Sequence, residues 1–280
     1  MIASFLITLR EGIEAALIVA IVLSYLKKVG AQSLLRPVYL GVLAGVLASI
    51  AAGSLFLLLS VEFKGTGEQI FEGATMFIAA IVLTTMILWM RDNSRAQSES
   101  LKNRVQAALT SKETLGLTAL VFVSILREGI ESVLFLGSAS FNTAGLQTAV
   151  GGALGILVAV VVGLAIIRYS LRMNLKVFFN VTGVFLVLFA AGLVARGLGE
   201  FQEAGIVPAV VGHVWNTSGF ISDGSDLGAT LATLFGYTAA PSLVQIIGYA
   251  GYWLFIASWA YREVTMSVLR RAFAVVRPSA

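Results

Sequence analysis

Long apolar stretches separated by short polar loops set the pattern of this chain. A helix that crosses a bilayer needs roughly 20 mainly apolar residues. Seven stretches meet that requirement: residues 2–26, 37–60, 69–90, 115–139, 146–168, 177–195 and 244–261. The pattern predicts an all-α polytopic membrane protein of seven transmembrane helices. Residues 1–280 read as one transmembrane domain. Within it, 197–242 is an extracytoplasmic segment and 244–261 the seventh helix.

Two of the seven stretches are interrupted near their centres by the same pentapeptide. Arg10-Glu11-Gly12-Ile13-Glu14 returns unchanged as Arg127-Glu128-Gly129-Ile130-Glu131. An ionised side chain at the bilayer centre costs about 2.5–3.5 kcal/mol even on the lenient insertion scale, so these six groups cost on the order of 15–20 kcal/mol if unpaired. A chain carries that cost where the groups pair internally, line a cavity or hold an ion.

The match extends beyond the motif. Residues 5–18 (FLITLREGIEAALI) align with 122–135 (FVSILREGIESVLF) at an offset of 117. Gly41, Gly45, Gly53 and Gly73 align with Gly151, Gly155, Gly163 and Gly183 at an offset of 110. Residues 1–90 are therefore repeated as 115–196, three helices by three helices. Because three is odd, the second copy crosses in the opposite sense, which makes a 3+3 inverted-topology repeat with its site expected at the repeat interface near the midplane. The paired glycines at i,i+4 read as packing positions that let helices approach closely.

The loops orient the chain. Lys27, Lys28 and Arg36 follow the first stretch, and Arg91, Arg95, Lys102, Arg104 and Lys112 follow the third. Arg168, Arg172 and Lys176 follow the fifth; Arg262, Arg270, Arg271 and Arg277 follow the seventh. Of the 19 basic residues only Arg10, Arg127, Lys64 and Arg196 lie elsewhere. The positive-inside rule then puts the N-terminus outside and the C-terminus in the cytoplasm. The first stretch lacks a basic n-region and a small-residue cleavage site, so it reads as a retained helix.

Composition narrows the chemistry. The chain is 58% hydrophobic, with 12% charged residues, and its mean hydropathy is +0.91. The net charge of +4 is spread over loops and forms no nucleic-acid patch. With no cysteine and a single histidine, His213, thiolate sites are excluded, and His213 reads as a loop residue. Glu11, Glu14, Glu128 and Glu131 make a hard, oxygen-only donor set suited to a hard cation, with Arg10 and Arg127 supplying compensating charge. Arg10 and Glu14 are i,i+4 neighbours that can pair.

Glu68 and Glu72 stand at the outer end of the third stretch, and the repeat counterpart of Glu72 is Thr182. The site is therefore expected to be asymmetric, with Glu72 as an added carboxylate toward the outside. Glu68, Glu200, Glu203, Asp223 and Asp226 form an acidic outer entry path that concentrates cations. A short helix is expected over 226–237, and Trp215 and Trp253 read as interfacial anchors. Met86 and Met90 read as core packing.

Paired R-E-G-I-E motifs in the first and fourth of seven spans resemble those of the oxidase-dependent iron permeases. A chain this short is similar to their bacterial EfeU type. Phe71-Glu72-Gly73 and the run from Asp223-Gly224-Ser225 through Leu234-Phe235-Gly236-Tyr237 to Pro241-Ser242-Leu243 resemble that family as well. The resemblance implies iron (Fe2+ or Fe3+) uptake across a bacterial inner membrane, with the four motif glutamates as iron ligands and no bound cofactor. It also implies periplasmic iron-handling or oxidase proteins as partners. Some relatives begin with a large extracytoplasmic domain, which this chain lacks, so oxidation would fall to a separate protein.

Three other readings share features with this one. They are a passive cation channel, a transporter of another divalent metal, and an intramembrane metal-dependent lipid phosphatase. The phosphatase would need a nucleophilic Ser or His beside clustered arginines; the intramembrane stretches offer Ser124 and Ser132 but no His and no clustered Ser/Arg loop.

Overall fold

The computed structural model describes residues 1–110, 114–141, 145–169 and 174–276. Side chains are described at 1–90, 106, 115–141, 145–168, 174, 177–225 and 227–262. Helix is the regular structure of the described residues, with no strand among them. The order is α1 (Ile2–Lys28), α2 (Leu35–Glu62), α3 (Thr66–Thr110), α4 (Thr114–Ser140), α5 (Gly145–Tyr169), α6 (Leu175–Glu203), α7 (Asp226–Phe235) and α8 (Leu243–Val276).

Five of these are long and apolar enough to cross a membrane: Gln32–Glu62, Thr66–Met90, Gly145–Arg168, Val177–Glu203 and Leu243–Arg262. The other two long helices, α1 and α4, are the ones that carry the charged motif at mid-length. Three charged residues there offset an otherwise apolar sequence. Three elements run well past the apolar pattern, among them α8, which continues past Tyr261 to Val276. α3 continues past Met90 as helix to Thr110, because helix propensity is indifferent to the change from apolar to polar residues. α6 continues past Arg196 to Glu203, so the segment from Gly197 begins as helix, not loop. The expected short helix appears as α7, capped by the Ser225 hydroxyl, which accepts from Gly228 N at 3.0 Å. It ends at Gly236 with φ +70°, a left-handed C-cap that favours glycine.

The main packing runs between the two thirds of the chain that match in sequence. α1 lies along α5, α2 along α4, and α3 along α6; α1 also crosses α4. Exchanging the two copies turns the α1–α5 pair into α4–α2 and returns α3–α6 to itself. The glycine contacts follow the same exchange. A Cβ on Gly12 would meet Ala159 Cβ at 2.5 Å, and one on Gly129 would run into Ser49; residues 159 and 49 differ by the glycine offset of 110. Gly41 closes on Thr118 O and Gly151 on Met1 O, which differ by the motif offset of 117.

α1, α3, α4 and α6 form the centre. Ile7, Met76, Leu83, Phe135, Phe189 and Leu193 are buried in one cluster contributed by all four. A second cluster joins Val22, Leu23 and Leu26 of α1 to Val38 of α2 and to Leu117, Val121 and Ile125 of α4. By contrast, α2 and α5 expose Leu47, Leu58, Leu157 and Leu164 on their outer sides. Apolar faces of that extent suit lipid contact and not water.

Candidate metal centre

The α1–α4 crossing brings the two motifs together. One carboxylate oxygen from each of Glu11, Glu128 and Glu131 lies within 4.8 Å of the other two. Glu11 and Glu128 are buried, at 1% and 2% exposure, and Glu131 is half-buried. Glu11 Oε2, Glu128 Oε2 and Glu131 Oε2 are all buried with no hydrogen-bond partner. An unpaired buried carboxylate oxygen is costly. A cation held by these three carboxylates, which are hard ligands, would relieve that cost.

Each arginine grips the glutamate beside it as well as the one a turn on. Arg10 Nη1 donates to Glu11 Oε1 at 2.8 Å, and Nη2 lies 3.1 Å from Glu14 Oε1. Arg127 Nη2 donates to Glu128 Oε1 at 2.6 Å, and Nε lies 3.5 Å from Glu131 Oε1. The i,i+4 pairing was legible from helix geometry. The contact between adjacent residues was not, because it depends on a long arginine folding back along the helix surface.

The two copies differ in their surroundings. The Arg10 side chain is 2% exposed and that of Arg127 is 48% exposed. Arg10 is covered by α3, where Met86 Sδ accepts from Nη1 at 3.2 Å and Met90 Sδ accepts from Nη2 at 2.8 Å. The Phe179 ring of α6 lies 5.9 Å from the guanidinium carbon. Met86 and Met90 are thus more than packing residues. Their i,i+4 spacing was the available signal, but no feature of the sequence placed them against Arg10. Beside them is a cavity of about 310 Å³ lined by Glu14, Thr85, Met86, Met90, Arg127 and Glu131, among others. Glu14 faces this cavity and is not one of the three convergent carboxylates.

The outer acidic residues divide into groups. Glu72 is also outside the central three: it lies within electrostatic reach of Glu68, Glu200 and Glu203, at the ends of α3 and α6 that face away from the motifs. A Cβ on Gly73 would come within 3.2 Å of Glu200 Cβ, so the two helices close on each other there. Gln69 Nε2 donates to Glu203 Oε2 at 3.5 Å. Asp223 instead ties its loop, accepting from Ala239 N at 2.9 Å. The Asp226 side chain lies outside the described residues, as do most of the basic loop side chains used to orient the chain. Arg196, read as the end of a span, is buried inside α6 with Nη2 unpartnered and with Asp223 and Glu200 as its opposite charges. His213 is exposed in the loop, its Nδ1 3.1 Å from Ala240 O.

No solved structure matches the chain. Among curated proteins it is 35% identical over 251 residues to the ferrous iron permease EfeU of Yersinia pestis, covering 89% of each chain. It is 36% identical over 248 residues to the ferrous iron permease EfeU of an Escherichia coli strain, covering 88% of this chain and 90% of that one. A family model matches residues 1–276. This multi-pass membrane protein, a permease and not an enzyme, belongs to the iron permease FTR1 family.

Proposed function

We propose that this permease takes up iron across the bacterial inner membrane by holding the ion at Glu11, Glu128 and Glu131, with Glu14 beside them, near the bilayer midplane. The observation that carries the reading is the convergence of three carboxylates, each with a buried oxygen that has no hydrogen-bond partner. Seven transmembrane helices in a 3+3 inverted repeat provide the frame. That frame is supported by the exchange symmetry of the helix pairs and by glycine contacts that recur at the two sequence offsets.

The path has three parts in this reading. Glu68, Glu72, Glu200 and Glu203 gather the cation at the outer end of α3 and α6. An apolar layer follows: on α3 it is Met76 to Leu83, between Glu72 and Met86, and on α6 it is Leu186 to Leu193. Ile7 before Arg10 and Phe135 after Glu131 complete it on α1 and α4. A packed layer between the outer acids and the central carboxylates favours a carrier that opens by helix movement over a standing pore. Periplasmic iron-handling or oxidase proteins would deliver the ion, which is substrate and not a resident cofactor.

The test is Glu128→Gln and Glu131→Gln, each assayed for iron uptake into proteoliposomes at matched protein. Each removes a hard, charged ligand while keeping shape, so uptake should fall at least tenfold, the order of loss on removing a group that tunes a metal site. Uptake near the native level in both variants would mean that the carboxylates serve only as buried ion pairs.

A further inference from the structure

We infer that Met86 and Met90, with Glu14 and Glu11, form a second cation subsite beside the central carboxylates, occupied in this structure by the Arg10 guanidinium. The inference rests on the proposed transport reading and extends it to a donor set of different chemistry.

Four contacts define the subsite. Nη1 of Arg10 takes one carboxylate and one thioether, Glu11 Oε1 at 2.8 Å and Met86 Sδ at 3.2 Å. Nη2 does the same, with Glu14 Oε1 at 3.1 Å and Met90 Sδ at 2.8 Å. A thioether is a weak hydrogen-bond acceptor, a poor choice for a buried guanidinium. Arg10 Nε is buried with no partner at all, so the guanidinium fills its place incompletely. Two thioethers and two carboxylates in one place suit a borderline or soft cation better than an arginine, because thioether sulfur selects soft metals.

The second copy shows what the arrangement adds. Arg127 makes the corresponding carboxylate contacts but is half exposed, so burial against thioethers belongs to the first copy alone. The cavity beside Met86 and Met90 is also lined by Glu131, one of the three central ligands. An ion leaving the central site therefore meets the thioethers next. Arg10 must withdraw for it to do so, and its charge returns when the ion has left. A ferrous ion is accepted by such a donor set more readily than a ferric ion, which is harder. The subsite thus favours the reduced ion on the exit side.

The variants Met86→Leu, Met90→Leu and the double change remove sulfur while nearly conserving volume, a swap that usually costs less than about 1.5 kcal/mol. Silver(I) serves as the soft probe. Its binding to the purified protein is measured by titration calorimetry, and its inhibition of Fe2+ uptake is measured in proteoliposomes. In the double variant, which must elute as a single species like the native protein, silver affinity and inhibition should both weaken on the order of tenfold, with each single variant intermediate. Fe2+ uptake should slow with its half-saturating concentration little changed, since the subsite lies after the loading site. Equal silver affinity in native and double variant overturns the subsite. Absence of Fe2+ uptake by the native protein would instead strike the transport reading, and the calorimetric comparison would still decide the subsite.

Discussion

Glu72 carries an added carboxylate at the outer end of α3. Its carboxylate belongs with hard-cation chemistry, but the structure sets it among Glu68, Glu200 and Glu203 and outside the central three. Its repeat counterpart, Thr182, is buried and turns its hydroxyl back to Phe178 O at 3.0 Å. One approach to the centre thus carries acids, and the matching position on the other carries a self-satisfied hydroxyl. Glu72→Gln should therefore raise the half-saturating iron concentration several-fold while changing the maximal rate less, the pattern of a lost binding contact that does not act in the rate-limiting step. A fall in maximal rate with unchanged half-saturation, measured from initial rates of uptake, would place Glu72 in translocation and not in loading.

The elements are held by small residues where they cross. α1 meets α5 at Gly12 and Ala159, and α4 meets α2 at Gly129 and Ser49. Both glycines are the middle residues of the charged motif, so the spacing of its carboxylates and the closeness of its helix to a neighbour are set by the same five residues. Gly12→Ala puts a methyl group 2.5 Å from Ala159 Cβ. Overpacking of this kind costs about 1–3 kcal/mol. The thermal unfolding midpoint in detergent should fall, and adding Ala159→Gly should restore most of the loss. Gly251→Ala on α8, where a Cβ meets nothing within 4 Å, should leave the midpoint unchanged or raised, since alanine is the better helix former. No recovery in the Gly12→Ala/Ala159→Gly pair would mean that α1 and α5 do not close at this point.

At the scale of the whole molecule, the charge of the loops and the packing of the helices make separate demands. Under the positive-inside rule the basic loops after the first, third, fifth and seventh apolar stretches would orient the chain, and the pairing of α1–α5, α2–α4 and α3–α6 is the one an inverted repeat would give. The proposed orientation, with the N-terminus outside and the segment between α6 and α8 on the same outer side, would meet both demands. The absence of cysteine makes this easy to check. Ser218→Cys, exposed in that segment, should react with a membrane-impermeant maleimide added to intact cells. Ser33→Cys, exposed between α1 and α2, should react only after permeabilisation. The reverse labelling would invert the orientation and exchange the loading and exit sides.

The sequence alone determined the apolar stretches, the placement of charge along them, the doubled motif and the short helix at 226. Each is a property of neighbouring residues or of two segments compared side by side. It also led to the hard-cation chemistry, because a carboxylate set without thiolate or imidazole limits the ligand whatever the fold. Tertiary structure decided which helix lies on which, that Glu72 sits among the outer acids, and that Arg10 is enclosed while Arg127 is not. It also put the sulfurs of Met86 and Met90 on Arg10 across 76 and 80 residues of chain. The reason is physical: helical period fixes directions around one helix axis, whereas the distance between side chains on different helices depends on how closely their backbones approach and at what height they cross.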